Sequence, residues 1–214
     1  MKIVLIDNYD SFTYNLVHLI KSITPGKIDV IRNDRINPEI LDEYDKIVLS
    51  PGPGIPSEAG LLKEIITRFA AHKSIFGVCL GLQAIAEVFG GSLSNMSRVY
   101  HGVEEEVIVN DRDEKLYKGV PARFLAGRYH SWIVNSHDLP ECFRINALDN
   151  SGNIMGLTHT RYDVRGVQFH PESILTPYGK RIMANWLDVS LKKIILPTES
   201  SKNFDITKIA SRVP

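Results

Sequence analysis

Residues 75–91 read Ile75-Phe76-Gly77-Val78-Cys79-Leu80-Gly81-Leu82-Gln83-Ala84-Ile85-Ala86-Glu87-Val88-Phe89-Gly90-Gly91, and this stretch decides the fold. Ile75 to Val78 is a short apolar run of strand type, and Leu80 to Phe89 is helix-like and ended by two glycines. A strand that turns into a helix at one residue, Cys79, belongs to an alternating β-α chain. The upstream sequence repeats that rhythm. Lys2 to Ile6 and Ile28 to Ile31 are β-branched strands around a helix-like Ser11 to Ile23. Lys46 to Leu49 is a third strand; after Ser50-Pro51-Gly52-Pro53-Gly54, Ser57 opens a stretch (Leu61, Leu62, Ile65, Ile66, Phe69) that reads as a capped amphipathic helix. Fully apolar strands alternating with helices predict an α/β fold, an open, mostly parallel sheet with helices on both faces.

Beyond Gly91 the segments shorten and alternate, around Val103 to Val109, Phe143 to Leu148 and Ile154 to Thr158, which predicts an added region of hairpins and mixed strands. A final strand, Val164 to Phe169, leads into His170-Pro171-Glu172, and Tyr178 to Ile195 reads as a closing helix. The expected organisation is one domain over residues 1–196 and a polar tail over residues 197–214. A chain of 214 residues with 43% hydrophobic and 23% charged residues is an ordinary globular composition. Lys and Arg total 25, as do Asp and Glu, so no net field draws the chain to nucleic acid or membrane. No apolar run is long enough for a membrane span and no export signal is read at the start. Two cysteines, Cys79 and Cys142, are too few for a disulfide framework, so a cytoplasmic location is expected.

Ligands of open parallel sheets bind beyond the carboxyl ends of the strands. Three segments fall at such ends: the Pro-Gly-Pro-Gly loop, Cys79 and His170. Gly77-Val78-Cys79-Leu80-Gly81 parallels the G-x-S-x-G nucleophile elbow, whose small flanking residues permit a strained turn. A thiol at a helix N-terminus has its thiolate favoured by the amide dipoles, so Cys79 is the candidate nucleophile, whereas Cys142 has no such setting. A thiolate nucleophile needs a base and a group that orients it; His170 and Glu172 supply both. Alone, H-x-E would more often be a strand-end histidine beside a solvated glutamate. No histidine or cysteine spacing typical of zinc occurs, so no metal site is expected. The backbone amides of Gly52 and Gly54, in a loop that Pro53 stiffens, and of the residue after the nucleophile, Leu80, are candidates for meeting a developing oxyanion.

Five blocks taken together, Asn8 to Leu16, Ser50 to Gly54, Gly77 to Gln83, Tyr129-His130-Ser131 and Gln168 to Ser173, resemble the class I, triad-type glutamine amidotransferases of flavodoxin-like fold. Within them the resemblance is to the small subunits of anthranilate synthase and aminodeoxychorismate synthase, over about residues 2 to 188. That resemblance implies hydrolysis of the glutamine side-chain amide by Cys79, His170 and Glu172 through a γ-glutamyl thioester. It implies an oxyanion hole of Gly52 and Leu80, with Gln83 and Ser131-Trp132 holding the substrate. Trp132 departs from the Leu often found at that position. It further implies ammonia transfer to a chorismate-binding large subunit, for tryptophan or for folate synthesis. No cofactor is expected in this chain, the large subunit of the family being the one that uses Mg. Tyr9, Phe12 and Tyr129 suit either a docking surface for that partner or the core. A stand-alone γ-glutamyl hydrolase and a catalytically idle interaction module are the rival readings.

Overall fold

The computed structural model describes residues 1–97 and 99–191. A nine-stranded sheet runs through it. Five strands form its parallel half: β1 (Lys2–Asp7), β2 (Lys27–Arg32), β3 (Lys46–Leu49), β4 (Ser74–Val78) and, late in the chain, β11 (Val164–Val167). Their spatial order is β2-β1-β3-β4-β11, the doubly wound arrangement of flavodoxin-like sheets. Four antiparallel neighbours extend it through β10 (Ile154–His159), β9 (Phe143–Asp149), β6 (Val103–Val109) and β7 (Arg123–Arg128). A separate small ribbon pairs β5 (Leu93–Asn95) with β8 (Trp132–Val134).

Helices cover both faces, as the apolar strands require. α1 (Thr13–Lys21) and α4 (Gly179–Trp186) share one face, where Leu16, Ile20, Met183 and Trp186 pack on Leu5, Val48 and Phe76. α2 (Leu62–Phe69) and α3 (Leu80–Val88) share the other, with Ile65, Phe69, Leu82 and Ile85 against Val4, Ile47 and Leu49. β3 is buried along its whole length because adjacent residues point into opposite, equally apolar layers.

Two expectations change. Ser57 does not cap α2: residues 56–58 form a separate 3-10 turn, and the helix starts at Leu62. The break lies at Gly60, which takes φ +54°, after which the Leu61 amide donates to the Asn33 carbonyl at 3.0 Å. The closing helix stops at Trp186, its eighth residue, because Asp188 enters the left-handed region (φ 57°) and the Val189 amide returns to the Ala184 carbonyl. The rest of that expected helix, from residue 192, and the expected tail of 197–214 lie outside the described residues. Strands β5, β7 and β8 were not separated in the sequence; each is short or carries alternating exposure.

Candidate active site

Four strand ends meet at one edge of the sheet. The loops after β1, β3, β4 and β11 carry Asn8 to Phe12, Ser50 to Gly54, Cys79 and Gln168 to Glu172. The switch in strand order places β3, β4 and β11 side by side, which is why segments far apart in sequence share one crevice.

Cys79 sits between β4 and α3 with φ 52° and ψ −102°, a strained conformation for a residue with a β-carbon. Its own amide is held by the Val167 carbonyl at 2.8 Å, so the strained turn is pinned to β11. The two glycines have steric reasons. A β-carbon on Gly77 would lie 2.5 Å from the Gly81 carbonyl carbon, and one on Gly81 would lie 2.6 Å from the Leu49 oxygen. Helix and strand can therefore approach closely enough to project the thiol only when both positions lack side chains.

His170 is buried, and its Nδ1 meets Glu172 Oε1 at 2.7 Å. The Glu172 side chain is fully buried. Burial alone would strip the proton from His170, but hydrogen bonding and charge from Cys79 and Glu172 outweigh it and raise its pKa to about 10. The site therefore favours a proton on the imidazole beside the sulfur. Nε2 of His170 has no partner of good hydrogen-bond geometry among the described residues. Rings of Tyr129 (centroids 4.7 Å apart) and Phe12 (5.7 Å) pack against the imidazole.

Cys79 separates two cavities. The inner one, about 140 Å³, is lined by Gly52, Pro53, Gly54, Gln83, Ser131 and Trp132 together with Cys79, Tyr129 and His130. The outer one, about 460 Å³, brings Tyr9, Asp10, Ser11, Phe12 and His101 to Cys79 and His170. All the candidate residues except Leu80 and Glu172 thus border one of these spaces, while Glu172 stands behind His170. Leu80 is the first residue of α3, so its amide belongs to the unpaired N-terminal set of that helix. Gly52 packs on it: a β-carbon there would meet Leu80 Cδ2 and Asn8 Cβ, each at 2.6 Å. Tyr9 and Tyr14 are exposed and Phe12 is half-buried, so the segment after β1 forms a surface at the mouth rather than core. A larger cleft of about 580 Å³, beside Lys115, Arg181 and Asp188, contains none of these groups.

Gln83 borders the inner cavity, but its amide nitrogen is already engaged by the Trp132 carbonyl (2.9 Å) and by Gln168 Oε1 (3.2 Å). Its oxygen is the atom left for a ligand. Sequence reasoning gave no role to three buried polar residues that shape the site. Asn8 donates to the Ser50 carbonyl at 2.8 Å and accepts from Asn33 at 3.0 Å, tying the ends of β1, β2 and β3 beneath the Pro-Gly-Pro-Gly loop. Arg128 is wholly buried, and its Nη1 meets Glu105 and Asp149, each at 2.7 Å. The signal for Arg128 was its place just before the Tyr129-His130-Ser131 block. His130 is driven down to about 3 by its burial and by the Arg128 charge, so it is a neutral ring. Among the described residues no cluster of three or more metal-binding side chains occurs, and no helix is long and apolar enough to cross a membrane.

A thiol on a strained elbow, a buried His-Glu pair and two cavities that meet at the thiol suit covalent chemistry with the thiol as nucleophile. The family model for class-I glutamine amidotransferases matches residues 4–189, and the chain belongs to that family. The aminodeoxychorismate/anthranilate synthase component 2 of Bacillus subtilis is 42% identical over 196 residues, covering 90% of this chain and 99% of its own. The bifunctional protein TrpGD of Thermotoga maritima is 42% identical over 204 residues, 92% of this chain, which spans 34% of that longer protein. A crystal structure from Thermoplasma acidophilum, of a protein described as a GMP synthase subunit, superposes with a TM-score of 0.79 at 26% identity, over 88% of this chain and 92% of that one.

Proposed function

We propose that this chain is the glutaminase subunit of anthranilate synthase, releasing ammonia from glutamine for a chorismate-binding partner. The observation that carries the amide chemistry is the strained Cys79 elbow facing a buried His170-Glu172 pair. The Cys79 thiol passes its proton to His170 and the sulfur bonds to the side-chain amide carbon of glutamine. The amides of Gly52 and Leu80 receive the oxyanion. His170 returns the proton to the leaving nitrogen, the C–N bond breaks, and ammonia departs from a γ-glutamyl thioester. Water then adds to the thioester, giving a proton to His170. The C–S bond breaks with its electron pair to sulfur, and glutamate leaves. Glu172 keeps the imidazole oriented and its charge compensated throughout. Gln83 Oε1 and the Ser131-Trp132 wall are the groups for the amino-acid end of the substrate.

The outer cavity, with exposed Tyr9 at its rim, is the surface for the partner and the exit for ammonia. A specific observation favours a second reading, use by aminodeoxychorismate synthase: the Bacillus subtilis relative bears both names. The test pairs the chain with each chorismate-binding partner from the same source, supplies glutamine and chorismate, and separates the products. Anthranilate from one partner alone supports the proposal; aminodeoxychorismate alone replaces it, and both products make the subunit shared. Cys79→Ala is expected to abolish synthesis from glutamine and to spare synthesis from ammonia; retained use of glutamine refutes the mechanism.

A further inference from the structure

Gln168 is fully buried just beyond β11, with its backbone amide on the Met155 carbonyl at 3.0 Å. Its side-chain nitrogen lies 3.4 Å from Cys79 Sγ, and its side-chain oxygen accepts from Gln83 at 3.2 Å. A primary amide in such a place is costly unless both ends are satisfied, and an apolar side chain of equal size would fill the space without that cost. Which end of the amide faces the sulfur is not free. Arg128 carries donors alone, so its Nε donates to His130 Nε2 at 3.1 Å. The proton of the neutral His130 ring is therefore on Nδ1, which donates to the Trp132 carbonyl at 3.0 Å. That carbonyl only accepts, so Gln83 presents its nitrogen to it and its second N–H to Gln168 Oε1. Gln168 is left with its N–H pointing at the sulfur. The chain starts at a guanidinium fixed by Glu105 and Asp149 and stacked on the Tyr100 ring, its Cζ 3.9 Å from the centroid.

We infer that Gln168 is a further catalytic residue, an N–H donor to Cys79 Sγ held in direction by the buried Arg128-His130-Trp132-Gln83 chain. The donor favours charge on sulfur twice in the reaction proposed above, on which this role in catalysis rests: when the thiolate attacks, and when the thioester's C–S bond returns its electron pair to sulfur. The other titratable groups around the sulfur are His170 and Glu172 after β11, Asp10 after β1, Tyr129 and His130 after β7, and His101 across the outer cavity. An uncharged, apolar replacement of Gln168 adds no charge to this set.

The test uses Gln168→Met and Gln168→Leu in the full chain. Iodoacetamide alkylation of Cys79 is followed against pH by peptide mass spectrometry, with Cys142 of the same molecule as reference. For both variants the Cys79 profile is expected to move upward by about one pH unit, about tenfold slower reaction at neutral pH, while Cys142 is unchanged. In complex with the chorismate-binding partner, kcat for glutamine is expected to fall about tenfold or more with KM within about threefold. Wild-type profiles in both variants would overturn the inference. Should Gln168→Met fail to fold, Gln168→Leu, likewise uncharged and without a donor, decides by the same criterion. If the wild-type chain alkylates at Cys79 yet hydrolyses no glutamine with any partner, the proposed function falls, and the sulfur contact is still judged by the alkylation profiles.

Discussion

His130 sets a measurable acid limit on the folded state. Its ring is buried beside the Arg128 guanidinium, and these two effects lower its pKa from 6.5 to about 3. The folded pKa lies below the unfolded one, so the folded chain refuses a proton that the unfolded chain accepts. Stability is therefore full above pH 6.5 and is lost as pH falls toward 3, at about 1.4 kcal/mol per unit. Between pH 7 and pH 5 the loss from this one ring is about 2 kcal/mol, a large share of the roughly 5–15 kcal/mol of a whole domain. Other groups titrate in the same window. His159 is lowered by burial and by Arg161 and adds a loss of the same sign. His170, raised to about 10, has the opposite sign: its contribution is complete below pH 6.5 and fades as pH rises toward 10. A comparison with His130→Gln, which keeps an acceptor for Arg128 and a donor for Trp132 without the titration, cancels those shared terms. The assay is urea unfolding followed by circular dichroism at pH 7, 6 and 5. His130→Gln is expected to be the less stable protein at pH 7, and to lose about 2 kcal/mol less than wild type on going to pH 5. Parallel pH dependences would refute a neutral, buried His130.

Gly81→Ala places a β-carbon 2.6 Å from the Leu49 oxygen and 2.8 Å from its Cβ, so β3 must back away from α3; a cost of about 1–3 kcal/mol in thermal or urea unfolding is expected, with a drop in glutaminase kcat, and native values of both would show that the approach is not tight. Asn8→Ala leaves the Ser50 carbonyl and the Asn33 amide without their partners; about 1–3 kcal/mol for each is expected, and kcat should fall as the Gly52 loop loosens while the Cys79 alkylation rate stays near wild type. Glu172→Gln removes the acceptor charge from His170 Nδ1 and is expected to lower kcat about 10²- to 10⁴-fold in steady-state assays with the partner present. A loss confined to KM would assign Glu172 to substrate binding instead.

Most of the parallel half of the fold was legible because strands buried on both faces are apolar throughout: Ile3 to Ile6, Ile47 to Leu49 and Ile75 to Val78 are unbroken apolar runs, and the structure returns them nearly residue for residue. The antiparallel half was readable as mixed strands without its order. β7 exposes Arg123 and Leu125 while burying Phe124 and Ala126, and β8 is three residues long, so neither gives a periodic signal of useful length. The errors at helix ends share one cause. Ser57 looks like a cap and residues 187–191 look like more helix, but Gly60 and Asp188 adopt positive φ under contacts with Asn33 and the end of α4, and such contacts cannot be read from a local pattern. The site divides the same way. Cys79, His170 and Glu172 stand in motifs whose chemistry requires those residue types at strand ends, and the elbow's glycines announce the close packing they allow. The polar chain behind them has no such signature: Arg128 and Gln168 are separated by 40 positions, and their linkage exists only because the segment after β7 brings the Trp132 carbonyl to Gln83 on α3. A buried arginine at the end of a strand is indistinguishable in sequence from an exposed one. What marks it in the folded chain is that an obligate donor must find acceptors, and satisfying it fixes the proton on His130 and, three side chains later, the atom that faces the nucleophile.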